Sequence, residues 1–350
     1  MSAGDGGRAP ARLAAVGAQV ADRGGRLLRA WPRGAEHLLL EVSLGGTPTA
    51  GQWFGDAGRA RSVTEETVGA TARGGLVLQP AGADRRLRGL AGLLAAPGAA
   101  LLAHRPERRA VLRHHRPDGS TAYTKMVRPE RLPGLLLTAE RVGRLPVRTP
   151  RLVGSDPGLG RLTTAALPGR PLHEVLASPA AVPACRALGA ALAALHAAPV
   201  PQGTPVHDAA AEVAVLRRWT ELAGAWDAAD VPGVEAVAQA LAAGPAEPPV
   251  LLHRDLHDRQ VLVADDGSVG LLDFDLLAAG EPALDLANLL VHLELREHQG
   301  LLADAGVLRD AVLEAYRPST ATLTRLPAYA AATRLRLAAV YAFRPGVSGS

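Results

Sequence analysis

A single cysteine in 350 residues, Cys185, excludes an intrachain disulfide framework, so the fold must stand on its packing. Cys185 lies in an apolar helical stretch and reads as a small buried residue rather than a nucleophile. No apolar run reaches the ~18 residues that a membrane-spanning helix needs. The Gly-, Ala- and Arg-rich N-terminus lacks the apolar core of a signal peptide. No block of five like charges occurs, and the formal net charge is only +4. That is too mild for long-range attraction to nucleic acid or a membrane surface. These absences set the expectation of a soluble, cytoplasmic protein with neither nucleic acid nor membrane as a partner.

Lysine is scarcer still. Of 38 basic residues only Lys125 is not arginine. Heavy Ala, Arg, Gly and Pro usage suits a GC-rich coding background, which disfavours lysine codons. The survivor is either a chance remainder or a place where a compact ammonium works and a planar guanidinium does not.

What is present is apolar residue in quantity, 48% of the chain, enough for a sizeable core in two lobes or one large domain. Residues 11–22 read as a helix. Residues 37–43 and 50–54 read as strands joined through Gly45-Gly46, and 75–79 as a third. Residues 87–95 read as a short helix. From 99 the pattern is an antiparallel meander, with strands at 99–104, 109–115 and 120–128 and turns at 105–108 and 116–119. A helix over 133–142 and strands near 151–154 and 160–165 follow. Leu167-Pro168-Gly169-Arg170-Pro171 then interrupts the pattern as a hinge. Beyond it, residues 183–196, 209–228 and 234–243 show helical periodicity. One hairpin, 260–264 with 268–273, turns on Asp265-Asp266-Gly267. Helices run from about 282 to 342. A strand-rich first part and a helix-rich second part predict an α+β fold in two lobes. No internal repeat is visible. Residues 1–95 are expected to add strands to the first lobe, residues 96–166 to form that lobe, and residues 167–350 to form the helical lobe.

The chemistry concentrates between 253 and 288. His253-Arg254-Asp255-Leu256-His257-Asp258-Arg259-Gln260 precedes the hairpin, Leu271-Leu272-Asp273-Phe274-Asp275 ends it, and Gly280-Glu281-Pro282-Ala283-Leu284-Asp285-Leu286-Ala287-Asn288 follows. A hairpin brings its outer ends together, so Asp255 and Asp273 should face one site with Gln260 beside them. Such oxygen ligands suit a hard cation such as Mg²⁺, which keeps several waters and binds substrate phosphates. A carboxylate beside that ion can take a proton from a hydroxyl nucleophile. Zinc is a poor alternative: His253 and His257 have no evident third ligand and no intervening glutamate.

This segment resembles the catalytic and metal loops of the aminoglycoside phosphotransferase and choline kinase group, small-molecule kinases that share the protein-kinase fold. The resemblance covers about residues 99–345. It implies an ATP- and Mg²⁺-dependent phosphotransferase with a small-molecule hydroxyl as acceptor. It assigns Asp255 as catalytic base and Gln260 and Asp273 as metal ligands; Asp275 is either a further carboxylate near the metal or a solvated loop residue. It also assigns Asp285 as a brace of the catalytic loop and His253 as a packing residue of it. Lys125 falls on the third meander strand, where this fold pairs a lysine with the α and β phosphates. Glu140 is expected to orient that lysine, and Thr164 and Ala166 to lie at the adenine hinge. Gln260 departs from the usual Asn, Tyr123 sits where small residues usually line the adenine side, and the 105–108 turn has no glycine. These departures motivate a rival reading, a kinase-fold protein that binds nucleotide or a partner without catalysis. The acceptor stays open between an aminoglycoside, a sugar and another metabolite alcohol. Glu212, Glu221, Asp227 and Glu294 are candidates for the acidic pocket that a polycationic acceptor needs.

Overall fold

The computed structural model describes residues 11–116, 118–244 and 247–345. The N-terminal stretch inspected above for a leader lies largely outside them. Helix α1 (Arg12–Ala21) leads into three antiparallel strands, β1 (Gly25–Gly34), β2 (His37–Leu44) and β3 (Thr47–Phe54). Helix α2 (Ala57–Glu65) is capped by Asp56, which accepts the Gly58 amide at 2.7 Å. The hairpin of β4 (Thr71–Arg73) and β5 (Leu76–Gln79) then returns beside β3, giving the order β1-β2-β3-β5-β4. Neither β1 nor α2 is visible in the sequence pattern. Pro32 argues against a strand, yet β1 is an edge, where a missing amide costs no ladder bond.

The second sheet repeats this plan. After α3 (Leu90–Leu94) come β6 (Ala100–Arg105), β7 (Arg109–His115) and β8 (Thr121–Val127), then α4 (Leu132–Val142), then β9 (Leu152–Asp156) and β10 (Arg161–Ala165). Strand β10 returns beside β8, and the order is β6-β7-β8-β10-β9. One topology therefore occurs twice in succession without a visible sequence repeat.

Among the described residues no ladder joins the two sheets, so the expectation that residues 1–95 extend the sheet of the first lobe is corrected. The inner face of the first sheet already has partners. Leu38, Leu40, Val42, Leu76 and Leu78 pack with Leu13, Val16 and Val20 of α1 and with Trp226, Ala339 and Phe343 from the distant helical part. The Trp226 indole, fully buried, donates to the Gly34 carbonyl at 2.9 Å, and the Ala30 amide donates to the Phe343 carbonyl at 2.8 Å.

The helical lobe begins with β11 (Arg170–Pro171), α5 (Leu172–Val175), α6 (Ala181–Ala197), α7 (Ala209–Ala225) and α8 (Val234–Ala243). Strands β12 (Val250–Leu252), β13 (Val261–Val263), β14 (Val269–Leu271) and β15 (Ala278–Gly280) carry the loops of interest. Helices α9 (Ala283–His298), α10 (Ala305–Tyr316) and α11 (Thr320–Tyr341) complete it. Its core joins Leu188, Leu192 and Leu195 of α6 to Leu286, Leu289 and Leu293 of α9. Cys185 lies in this core, where burial pushes its thiol up to about 12, an inert state. The architecture is the two-lobed α+β fold that the pattern predicts. No described helix is long and apolar enough to cross a membrane.

Candidate active site

The site is built from the N-terminus of α9 outward. Asp285, in the first turn of that helix, has no exposed surface. Its carboxylate accepts the amides of His253 and Arg254, each at 2.7 Å, and the His196 ring approaches at 3.3 Å. Burial alone would raise this carboxyl, but His196 and the His253 amide outweigh it and hold it below the usual range. Arg254 sits at φ +68°, a region that side chains with a Cβ seldom adopt. Asp285 therefore pins a strained turn.

His253, fully buried, joins the two loops. Its Nε2 donates to the Leu272 carbonyl at 2.7 Å, and its Nδ1 accepts the Asp255 amide at 3.3 Å. One imidazole thus ties the residue at 255 to the neighbour of 273. Both ring nitrogens are engaged by backbone. The Asp255 side chain is half-buried and forms no hydrogen bond or ion pair among the described residues.

Across the cleft, Lys125 of β8 reaches Asp273 at 2.8 Å and Asp275 at 2.6 Å. Arg109 of β7 adds contacts of 3.8 and 3.4 Å to the same two carboxylates. Burial opposes charge on Asp273, but Lys125 and Arg109 prevail and draw it down to about 2. Asp275 is held above its ordinary value by burial and by the neighbouring Asp273 charge. Asp273 also sits at φ +59°. Asp273, Asp275, Gln260 and Lys125 line one cavity of about 450 Å³, together with Tyr123, Thr164 and Leu167. Two carboxylates and an amide oxygen at one cavity wall form the donor set of a hard divalent cation, and the ammonium opposite suits phosphate oxygens.

With this geometry fixed, the comparison with known proteins is direct. The sequence model of the phosphotransferase enzyme family matches residues 99–329. The chain belongs to this family. It is a phosphotransferase of the small-molecule kinase class, as the motifs imply. No curated protein matches it. Among solved structures, the phosphotransferase is similar to an aminoglycoside-3'-phosphotransferase of type VIII, with 23% identity, 73% of this chain and 97% of that chain covered, and a TM-score of 0.52. It is also similar to the aminoglycoside phosphotransferase APH(3'')-Id from Streptomyces rimosus, with 18% identity, 71% and 96% covered, and a TM-score of 0.51. The amicoumacin kinase hAmiN, solved with AMP-PNP, Ca²⁺ and its substrate, gives 15%, 71%, 80% and 0.50. At these identities the likeness shows the fold.

Two expectations about the phosphotransferase are corrected. Glu140 does not meet Lys125: it is exposed, on the side of α4 opposite Leu135, Thr138, Ala139 and Val142, which face the cavity. Asp273 and Asp275 take the lysine instead. Ala166 offers no free amide, because its N–H donates to the Thr121 carbonyl at 3.0 Å. Thr164 does line the cavity.

Sequence reasoning also missed supports of the phosphotransferase site. Asp258 is fully buried, gripped by Arg296 at 2.9 and 3.0 Å and bonded to His173, and it fixes the turn that carries Gln260. Arg109 was findable by parity: Val111 pairs with Lys125, and Arg109 lies two residues along the same face. The glycine-free turn between β6 and β7 is held from the segment that follows the first sheet. Asp84 accepts the Glu107 amide at 2.7 Å and the His104 ring at 2.9 Å, and Arg85 pairs with Glu107 at 2.8 Å. Glu107 takes φ +59° there. Matched from the first rungs, Trp53 with Leu76 and Met126 with Arg161, Gln52 of the first sheet stands where Lys125 stands in the second. Its amide donates to Glu107 at 3.2 Å.

Proposed function

We propose that this phosphotransferase moves the γ-phosphoryl group of ATP, held with Mg²⁺, to a hydroxyl of a small molecule. The observation that carries the reading is the Lys125–Asp273 pair in the same cavity as Gln260, with Asp255 tied to that loop through His253. Bound Mg²⁺-ATP supplies the transferable group and neutralises its charge. Asp273, Gln260 and Asp275 hold the metal, and Lys125 binds the α and β phosphates. Asp255, with its carboxylate free, accepts the proton of the acceptor hydroxyl. Near the hinge the amides of Ala165 and Ala166 are engaged by Arg151 and Thr121, which leaves the Leu167 amide to meet adenine. The reading includes a cytoplasmic site of action, where ATP is available.

Three of the four acids considered for a polycationic acceptor already have partners. Glu212 is buried against His207 at 2.8 Å and Arg336 at 3.6 Å. Glu294 pairs with Arg334 at 2.8 Å, and Asp227 lies against Arg12. An acceptor without multiple positive charges fits better.

The deciding experiment is a melting curve with and without Mg²⁺-ATP, followed by ADP release over a panel of sugars, sugar acids, amino alcohols and aminoglycosides. A raised melting temperature and acceptor-dependent ADP establish the reading. Nucleotide binding with no ADP from any acceptor assigns the protein to non-catalytic binding, the reading that Gln260 and the glycine-free turn favour. Two side predictions use the same assay. Glu140→Ala is expected to leave ADP formation within about twofold, because nothing in the cavity touches it. Removing the divalent ion with EDTA is expected to abolish both the ADP signal and most of the thermal shift, since neutralised phosphates are what Asp273 and Asp275 can tolerate nearby.

A further inference from the structure

Three arginines from three parts of the chain meet near the transfer centre, and none of them is held in a direct ion pair. Arg29 lies on the outer face of β1, with its guanidinium 4.8 Å from the centre of the Trp31 ring. Arg105, at the end of β6, reaches the same ring at 4.7 Å. Arg344, just beyond α11, is brought alongside by the Ala30–Phe343 bond and stacks on Tyr341 at 4.1 Å. Among the described residues none of the three forms an ion pair. Glu41, the cross-strand neighbour of Arg29, makes no ion pair with it. The Nε of Arg344 is buried without an acceptor. Arg105 faces Arg109 across the turn, and Arg109 contacts both Asp273 and Asp275.

Like charges gathered at partial burial are unfavourable, and the structure registers that cost. Burial first, then neighbouring arginines, lowers Arg105 to about 9 and Arg29 to about 10, while Asp273 and Asp255 pull Arg105 the other way. A protein stabilises such a cluster by giving it an anion. Guanidinium groups take carboxylate and phosphate oxygens in bidentate fashion, and stacking on Trp31 and Tyr341 fixes their planes in advance. Arg29 and Arg344 lie outside the 99–329 stretch that the family model matches, and Arg105 lies inside it.

We propose that Arg29, Arg105 and Arg344 form an anion site beside Asp255 that holds a carboxylate or phosphate carried by the acceptor. The acceptor is then an acidic alcohol, such as a sugar acid or a phosphorylated sugar. The inference rests on the reading of Asp255 and Asp273 as the transfer centre. The anion has two possible sources, the acceptor or the γ-phosphate of ATP, and the test separates them.

Full-length protein and the Arg29→Gln/Arg344→Gln double variant are titrated calorimetrically with inorganic phosphate, D-glucuronate and D-glucose, with and without saturating Mg²⁺-AMP-PNP. The wild type is expected to bind phosphate and glucuronate with AMP-PNP in place, and glucose at least about tenfold more weakly than glucuronate. The double variant is expected to lose about tenfold in affinity for the anionic probes while its affinity for AMP-PNP changes by less than about twofold. A tenfold loss for AMP-PNP itself assigns the arginines to the γ-phosphate and overturns the proposal. Unchanged binding of the anionic probes, or equal binding of glucose and glucuronate, also overturns it. If the double variant melts early, Arg344→Gln alone carries the test, because Arg344 lies beyond the last helix and forms no ion pair among the described residues. The nucleotide-free titrations report on the anion site even if no phosphoryl transfer occurs. The Mg²⁺-ATP melting curve separately reports on the kinase reading.

Discussion

Asp255→Asn is expected to lower ADP formation at saturating acceptor by about 10²–10⁴-fold, the usual worth of a positioned general base. Mg²⁺-ATP binding should survive almost unchanged. The substitution keeps the side-chain shape and replaces a proton acceptor with an amide whose NH₂ end only donates. The surrounding loop has no reason to move: the amide of residue 255 still donates to His253, and Asp285 still grips the amides of His253 and Arg254. The proposed nucleotide contacts, Lys125, Asp273 and Gln260, line the cavity wall, and none of them bonds to the Asp255 side chain. The measurements are the rate of ADP release and the thermal shift with Mg²⁺-ATP. A fall in rate with an intact shift locates the base at 255. An unchanged rate moves the base elsewhere and removes the assignment.

Arg296→Met should be the most damaging single change to stability away from the cavity. Asp258 has no exposed surface, and its charge is answered by two bonds from one guanidinium, at 2.9 and 3.0 Å, and by His173. Removing one partner of a buried pair strands the other charge, at a cost of about 3–5 kcal/mol. For a chain of this size that lowers the melting temperature by about 4–7 °C. The companion change Asp258→Leu in the same chain should restore a large part of the loss, because removing both charges leaves no stranded ion. The pH dependence has a definite sign. Burial would raise the Asp258 carboxyl, but Arg296 and His173 hold it below its ordinary value of 3.8. A depressed carboxyl contributes stability above the unfolded value and loses it as pH falls through the folded one. The gap between wild type and variant should therefore be widest near neutral pH and shrink below about pH 4. Melting curves from pH 3 to pH 8 measure it, and a gap that does not depend on pH would show that Arg296 acts through packing alone.

The most legible part of the candidate site was the part built from neighbours in sequence. Asp255, Gln260, Asp273 and Asp285 fall within one short stretch, and a three-residue hairpin on each side, β13 with β14, is enough to bring their loops together. Lys125 declared itself by composition, since everything else basic is arginine. Glu140 was misjudged for a physical reason. Residues along α4 establish that it is a helix, but not which face turns to the sheet, and that phase is set by Leu132 and Val142 packing beneath it. Lys125 instead found its carboxylates at Asp273 and Asp275, both already counted at the metal. The doubled sheet was invisible because strand order belongs to the backbone: Gln52 and Lys125 share a position and no chemistry. Arg29 and Arg344 were out of reach because only the completed fold makes them neighbours.

The first sheet and the segment that follows it touch the molecule on both sides of the cleft. Asp84 and Arg85 hold the turn of the second sheet, while Ala30 and the Trp226 pocket hold the helical lobe. Two lobes joined only at 167–171 could swing like a door on one hinge. A third body latched to each leaf turns that door into a braced frame. Gaping wide enough to exchange substrate would have to unlatch a brace or flex it, so changes at Asp84, Arg85 or Trp226 are expected to alter the rate of product escape.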